Sequence, residues 1–173
     1  MTMIDWQNLA ETLGTITYGK GGHQETGGSR VAANALIEIL GDAALIDGVD
    51  HYVAGRPGAE LARSLLSALR PPAAMARCHE IFLTAPDTQD ASMAINLLQA
   101  IADKRAMPWI SDYLASDNVG VRLWAVGILD QLLIMNEEIE LDEAMPLIDM
   151  ALGDGDERVR ERAAQLLDMA KEN

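Results

Sequence analysis

Cysteine, aromatic and basic residues are all scarce in this chain, and each scarcity removes a class of protein. Cys78 is the single cysteine, so no internal disulfide can form and a disulfide-stapled scaffold is excluded. A cytoplasmic location is the expectation. The three histidines, His23, His51 and His79, are dispersed, and no Cys-x-x-Cys or His-x-x-x-His pair accompanies them. No metal site, and no cofactor, is therefore expected. No apolar run reaches the roughly 18 residues that a spanning helix needs. Met1 to Trp6 shows no basic segment ahead of an apolar core, so no signal peptide is expected. Aromatic residues make up 4% of the chain, and Trp109 and Trp124, which no basic stripe accompanies, read as packing residues rather than a base-stacking platform. Cys78, set among Ala74, Met75 and Ile81, reads as a buried structural thiol.

Positive charge is the scarcity with the most consequence. Thirteen Lys and Arg face 27 Asp and Glu, a formal net charge of −14. The last stretch, 136–173, holds twelve acids against four bases, or −8. Such a field repels phosphate backbones and anionic lipid, so neither nucleic acid nor a membrane is an expected partner. A protein with a basic surface is.

What the chain does have is internal repetition. Val121-Arg122-Leu123-Trp124-Ala125 returns 38 residues later as Val159-Arg160-Glu161-Arg162-Ala163, and both copies continue into a Leu/Ile pair and an Asp. The segments that precede them, Pro108 to Leu114 and Pro146 to Leu152, lie the same distance apart. Apolar columns at 121, 125, 128, 129 and 132 form one stripe of a helix. The same template fits three upstream copies. Its central small residue is Ala33, Ala62, Ala94, Ala125 and Ala163, at steps of 29, 32, 31 and 38. The following pair is Leu36-Ile37, Leu65-Leu66, Leu97-Leu98, Ile128-Leu129 and Leu166-Leu167, and the next column is Leu40, Leu69, Ile101, Leu132 and Ala170. A small central residue permits close helix approach, and the pair fills the neighbour's groove.

Between these helices a second set is predicted: Ala43 to Val53, Pro72 to Leu83, Met107 to Leu114 and Leu141 to Leu152. Pro72, Pro108 and Pro146 are placed near first turns, where a missing N–H costs little. Asp87, Asp117 and Asp154 or Asp156 are the expected caps of second helices. Gly55 reads as a helix terminator, Pro57 as a helix starter and Arg70-Pro71-Pro72 as a sharp turn. The architecture predicted is all-α: an α-solenoid of about four to five helix pairs with an N-terminal capping helix, in a single domain spanning 1–173. Residues 1–29 carry the capping helix, from Ile4 to Leu13 with Trp6 over the solenoid end, and a glycine-rich loop; 30–173 carry the repeats. The loop, Tyr18 to Ser29, has five glycines in twelve residues, is expected to lack a regular element, and ends with Ser29 as a helix N-cap. No strand is expected before it and the phosphate-binding spacings are missing, so it reads as a connector or a protein-contact loop presenting Tyr18, His23, Gln24 and Glu25.

If the second helices form the inner layer, the positions opposite their core columns lie two before, two after and five after the central Ala. Polar residues there include Glu60, Ser92 and Glu161; Ser64, Asn96 and Gln165; and Glu38, Ser67, Gln99, Asp130 and Asp168. No Lys or Arg stands in these columns. The candidate partner-binding set is Glu38, Glu60, Ser64, Asn96, Gln99, Asp130 and Asp168, together with the four loop residues.

Pro at the start of the first helix, then Asp, then Val-Arg in the second helix resembles HEAT repeats; the last two copies match well and the earlier ones are degenerate, with Ser29-Arg30 keeping the Arg alone. The whole chain further resembles bacterial HEAT-repeat immunity proteins of polymorphic toxin systems. The residues that carry this likeness are Tyr18-Gly19-x-Gly21-Gly22-His23-Gln24-x-Thr26-Gly27-Gly28, Gly55-Arg56-Pro57-Gly58-x-Glu60-Leu61-Ala62-Arg63, Arg70-Pro71 and Ala106-x-Pro108-Trp109. That resemblance implies a non-enzymatic antitoxin that binds and occludes a basic cognate toxin. The alternatives are a general HEAT adaptor or scaffold, or an enzyme of the phycobilin lyase or alkylpurine DNA glycosylase kind. A glycosylase needs a basic groove with aromatics, whereas the derived strip is acidic, and nothing distinctive supports a lyase.

Overall fold

The computed structural model of the protein describes residues 4–135 and 138–172. A short helix α1 (Trp6–Thr12) is followed by two strands, β1 (Ile16–Gly19) and β2 (Gly22–Glu25). The helical stack then comprises α2 (Ser29–Val53), α3 (Ala59–Leu69), α4 (Pro72–Thr84) and α5 (Gln89–Ile101). It continues through a 3-10 segment, Lys104–Trp109, into α6 (Ile110–Leu114), then α7 (Val119–Asp130), a π turn over Gln131–Met135, α8 (Leu141–Leu152) and α9 (Glu157–Glu172).

Gly41 breaks α2 into two helical halves. Its φ of 72° and ψ of 159° lie outside the helical region, in a positive-φ backbone conformation that favours glycine. The first half holds Ala33 and the Leu36-Ile37 pair; the second is the predicted 43–53 helix. Thus the two expected helices are present, separated by one residue.

Two layers result. In one, α3 packs on α5, α5 on α7 and α7 on α9; in the other, α2 packs on α4 and α6 on α8. Ala94, Ala125 and Ala163 are fully buried at the helix contacts, with Leu97, Leu98, Ile128, Leu129 and Leu166 closing around them. The other layer contributes Leu45, Val49, Met75, Ile110, Tyr113 and Ile148. Small central residues bring helix backbones close, and the paired large residues then interdigitate without voids. This is the all-α solenoid of helix pairs.

Several local expectations are corrected. The glycine-rich stretch contains a two-stranded antiparallel hairpin in the register Ile16↔Glu25, Thr17↔Gln24, Tyr18↔His23 and Gly19↔Gly22. Its glycines cluster at the turn, where Gly22 has a φ of 125° that a side chain would resist, and they leave Ile16 to Tyr18 free to extend. Gly28, not Ser29, is the N-cap of α2. Thr88 and Asn118, one residue beyond Asp87 and Asp117, cap α5 and α7 through their side chains. Pro146 lies in the second turn of α8, inside the helix, and Pro108 lies within the 3-10 segment. Gly55, at φ 60°, ends the second half of α2 as expected, while α3 begins at Ala59, after Gly58. Trp6 does not cover the stack: 66% of it is exposed.

Candidate protein-interaction surface

The second helices are aligned by their loops. Asn118 accepts from the Gly120 and Val121 backbone N–H groups with Oδ1, capping α7. With Nδ2 it donates to the carbonyls of Asp87 (3.4 Å) and Thr88 (3.0 Å) in the preceding loop. Ser116 Oγ also reaches that loop, donating to Pro86 O at 3.4 Å. At the next junction Arg122 does the equivalent work. Its guanidinium donates to Ser116 O (2.7 Å) and Asp117 O (3.1 Å) at the start of its own helix, and pairs with Asp154 of the following loop at 2.8 Å. Both side chains of that pair are largely buried. Arg160 repeats the backward half of the pattern, donating to Asp154 O and Gly155 O. This is the physical content of the Val-Arg motif: the Val faces the core, and the Arg satisfies loop carbonyls that the helix leaves unpaired. Asp156 caps the same turn for Arg158, whose guanidinium holds the Asp156 carboxyl at about 2.

On this frame the strip positions separate by exposure. Glu38, Glu60, Ser64, Glu161, Gln165 and Asp168 are exposed. The middle of the strip is drawn into helix packing. Ser92 is buried against α7, where a Cβ added to Gly120 would come within 2.5 Å of its Oγ. Asn96 is half-buried and its Oδ1 accepts from Tyr52 Oη at 2.5 Å. Gln99 lies across Gly127, whose missing side chain makes the room. Asp130 is half-buried in a small recess shared with Arg162, Gln165 and Met169. Ser67 Oγ donates to Ala100 O at 3.3 Å. The acidic groups that meet water therefore stand towards the two ends of the second-helix layer, with amides and a serine binding helices together between them.

The four loop residues lie on the hairpin, all exposed. Tyr18 and His23 are a cross-strand pair, their ring centroids 6.4 Å apart. Tyr18 Oη donates to Glu11 Oε1 of α1 at 2.6 Å, which raises the tyrosine and lowers the carboxyl from their usual values. His23 Nε2 lies 3.1 Å from Glu25 Oε1. Gln24 pairs with Thr17. The hairpin's side-chain ties run to α1 and to itself.

Cys78 is fully buried, and burial pushes its thiol far up, away from reactivity. Beside it, His79 stacks on Trp109 (centroids 4.4 Å apart, 7° between planes) and contacts Tyr113 Oη through Nδ1 at 2.8 Å. Phe82 meets Tyr113 edge-on. Burial lowers His79 and raises Tyr113, so the cluster is held neutral as a clamp between α4 and α6. Among the described residues no group of three His, Cys, Asp or Glu side chains could hold a metal ion, and no helix is long and apolar enough to cross a membrane.

One feature escaped the reading of the sequence. A groove of about 810 Å³ opens between the first half of α2, the end of α3 and the segment before α6. Arg30, Arg70, Lys104 and Arg105 converge there from three places far apart in the chain. In the sequence Arg30 stands out only as the remnant of the Val-Arg motif.

Residues 76–168, more than half of the chain, match the HEAT-repeat family. No curated protein and no solved structure matches the sequence. The two-layer stack, its small-residue columns and its Arg-bridged loops agree with the family match, and the chain belongs to the HEAT-repeat proteins.

Proposed function

We propose that this protein is a non-enzymatic binding scaffold that presents its second-helix layer to a protein with a basic surface. HEAT repeats generally mediate protein–protein interaction. The observation that carries the reading is the set of exposed Glu38, Glu60, Glu161 and Asp168, grouped towards the two ends of the layer in columns that hold no Lys or Arg. A chain of net charge −14 adds a long-range field that steers a cationic partner towards these groups. Association should be fast and salt-sensitive. Replacing Glu38, Glu60 and Asp168 together by Lys should slow association at least ~10-fold at low salt while leaving helicity unchanged, because all three side chains are exposed. The experiment is affinity capture of partners by the wild type, then on-rate measurement with the triple variant. Unchanged association by the variant would discard the strip as the contact.

A finer reading is an immunity protein that occludes a basic cognate toxin. The acidity of 136–173, −8 over the stretch, supports it. Co-expression with a toxin encoded beside it should protect the host cell, and protection should fail when the binding surface is reversed. Growth arrest despite binding would leave the general scaffold and remove the antitoxin role.

A further inference from the structure

We propose that the N-terminal groove is a second docking site, of opposite polarity to the strip, for a short acidic polypeptide segment with an apolar anchor. This goes beyond the scaffold reading, which concerns a basic partner on a different surface.

Charge distribution is the first support. Four of the 13 bases line the groove with only two acids, Asp103 and Glu138, a local sum of +2. The remainder of the chain then carries −16, the difference between −14 and +2. Three of the four cations are already engaged: Arg70 with Glu138 at 2.8 Å, Lys104 with Glu143 at 3.0 Å and Arg105 with Asp103. Arg30 has no ion-pair or hydrogen-bond partner among the described residues and is exposed at the rim. Arg30 can therefore take a carboxylate without giving one up, and Lys104 and Arg105, both on a half-exposed or open rim, can share one.

The wall between these cations is apolar. Ala33 and Ile37 from α2 face Ala68, Leu69 and Pro72. Ala33, Ile37 and Leu69 stand in solenoid columns, and their equivalents deeper in the stack are covered. Ala94, Ala125, Leu98 and Leu129 are fully buried, whereas Ala33 and Ile37 in the same columns are only half-buried. The helix that would precede α2 in a complete repeat is replaced by α1 and the hairpin, which do not pack over it; Ile4 and Trp6 are themselves exposed. A groove with an apolar floor and cations at its rim fits a segment whose anchor side chain enters and whose carboxylates stay at the edge. A second copy of this strongly negative chain is disfavoured by repulsion over the rest of its surface. Arg70 fixes the geometry. It is the one non-glycine residue with positive φ (50°) among the described residues, and its guanidinium donates both to Ala102 O and to Glu138, tying three parts of the wall together.

Pairing here is selected at contact, because the field of the remaining −16 repels an acidic partner at distance. The association rate should therefore rise, not fall, when modest salt is added. The test is an immobilised peptide array in which Glu and Asp alternate with Leu, Ile, Met or Phe. Control arrays replace the apolar residue by Ser or the acids by Lys, and single-stranded oligonucleotides are included. Retained peptides are then titrated by fluorescence anisotropy, up to about 1 mM, where an interaction of about −4 kcal/mol registers. The expected result is retention of acidic peptides with an apolar anchor, and loss of affinity of ~10-fold or more in Arg30→Glu and in Ile37→Asp. Lys171→Glu, the same kind of charge reversal at the exposed far end of α9, should leave it unchanged. Arg30 is exposed, so Arg30→Glu decides the matter even if Ile37→Asp unfolds. Retention of no acidic peptide, equal binding by wild type and Arg30→Glu, or preference for oligonucleotides or for the Ser-substituted array would each overturn the proposal. None of these outcomes bears on the basic partner of the strip.

Discussion

The first and last second-helices share one sequence template and live in different surroundings. In α5, α7 and α9 the central Ala and the pair after it are buried or nearly so. In the first half of α2, Leu36, Ile39 and Leu40 are each at least 40% exposed, and Ala33 is only half-buried. The difference lies in the neighbours. A repeat's apolar stripe becomes core only when the repeats on either side cover it, which is why solenoid stability is a sum over adjoining pairs. At the N-terminal end the pattern outruns its cover.

Cavity-forming substitutions should break the comparison most visibly. Leu129→Ala, in the covered half, should cost about 2–5 kcal/mol, whereas Leu36→Ala should cost under ~1 kcal/mol. Urea midpoints of the two variants measure this. Near-equal losses would mean that the N-terminal columns are covered in solution. Next comes the loop bridge. Arg122→Ala strands the largely buried Asp154 and should cost about 3 kcal/mol, while Arg30→Ala, at the same template position without a partner, should cost nothing measurable. Ala125→Leu should overpack the α5–α7 contact and lose about 1–3 kcal/mol, with Ala33→Leu tolerated.

The columns, the two helix sets and the all-helical class were legible because period and residue size alone carry them. Coverage was not, since Leu36 and Leu97 look identical in the template and differ only in what packs over them. The caps at Thr88 and Asn118 fell one residue from the predicted aspartates because Asp, Thr and Asn all cap well and lie side by side. The hairpin was hidden by its glycines, which sit in the turn and at the strand ends that flank it. Of the candidate surface, the chemistry of the strip could be read, but not that Ser92, Asn96 and Gln99 would be taken up by helix contacts through Gly120, Tyr52 and Gly127. The groove was invisible because Arg30, Arg70 and Lys104 converge only through Arg70's turn.

A smaller effect tests the middle of the molecule. His79 has a folded-state value lowered by burial, so on acidification the unfolded chain takes up this proton before the folded one does. Its contribution to stability is full above the ordinary histidine value of about 6.5 and declines as pH falls through it. The fall in urea midpoint between pH 7 and pH 5 should be shallower in His79→Phe, which keeps a ring against Trp109. An identical pH slope in the two proteins would show that His79 does not contribute. The smallest effect is expected at the end with least cover: removing residues 1–25 should shift the unfolding midpoint of the stack by less than ~0.5 kcal/mol, because α1 and the hairpin bury nothing in the core.

Asn118 makes helix initiation and repeat docking the same event. One amide oxygen starts α7 while the amide nitrogen of the same group grips the loop behind it, so α7 cannot fray at its first turn without loosening the α5 junction. Arg122 extends the arrangement to the loop ahead. Under tension applied to the C-terminus, the stack should yield in steps set at these junctions rather than helix by helix. Each step would release a whole pair, and the smallest force would be needed where no such stitch exists.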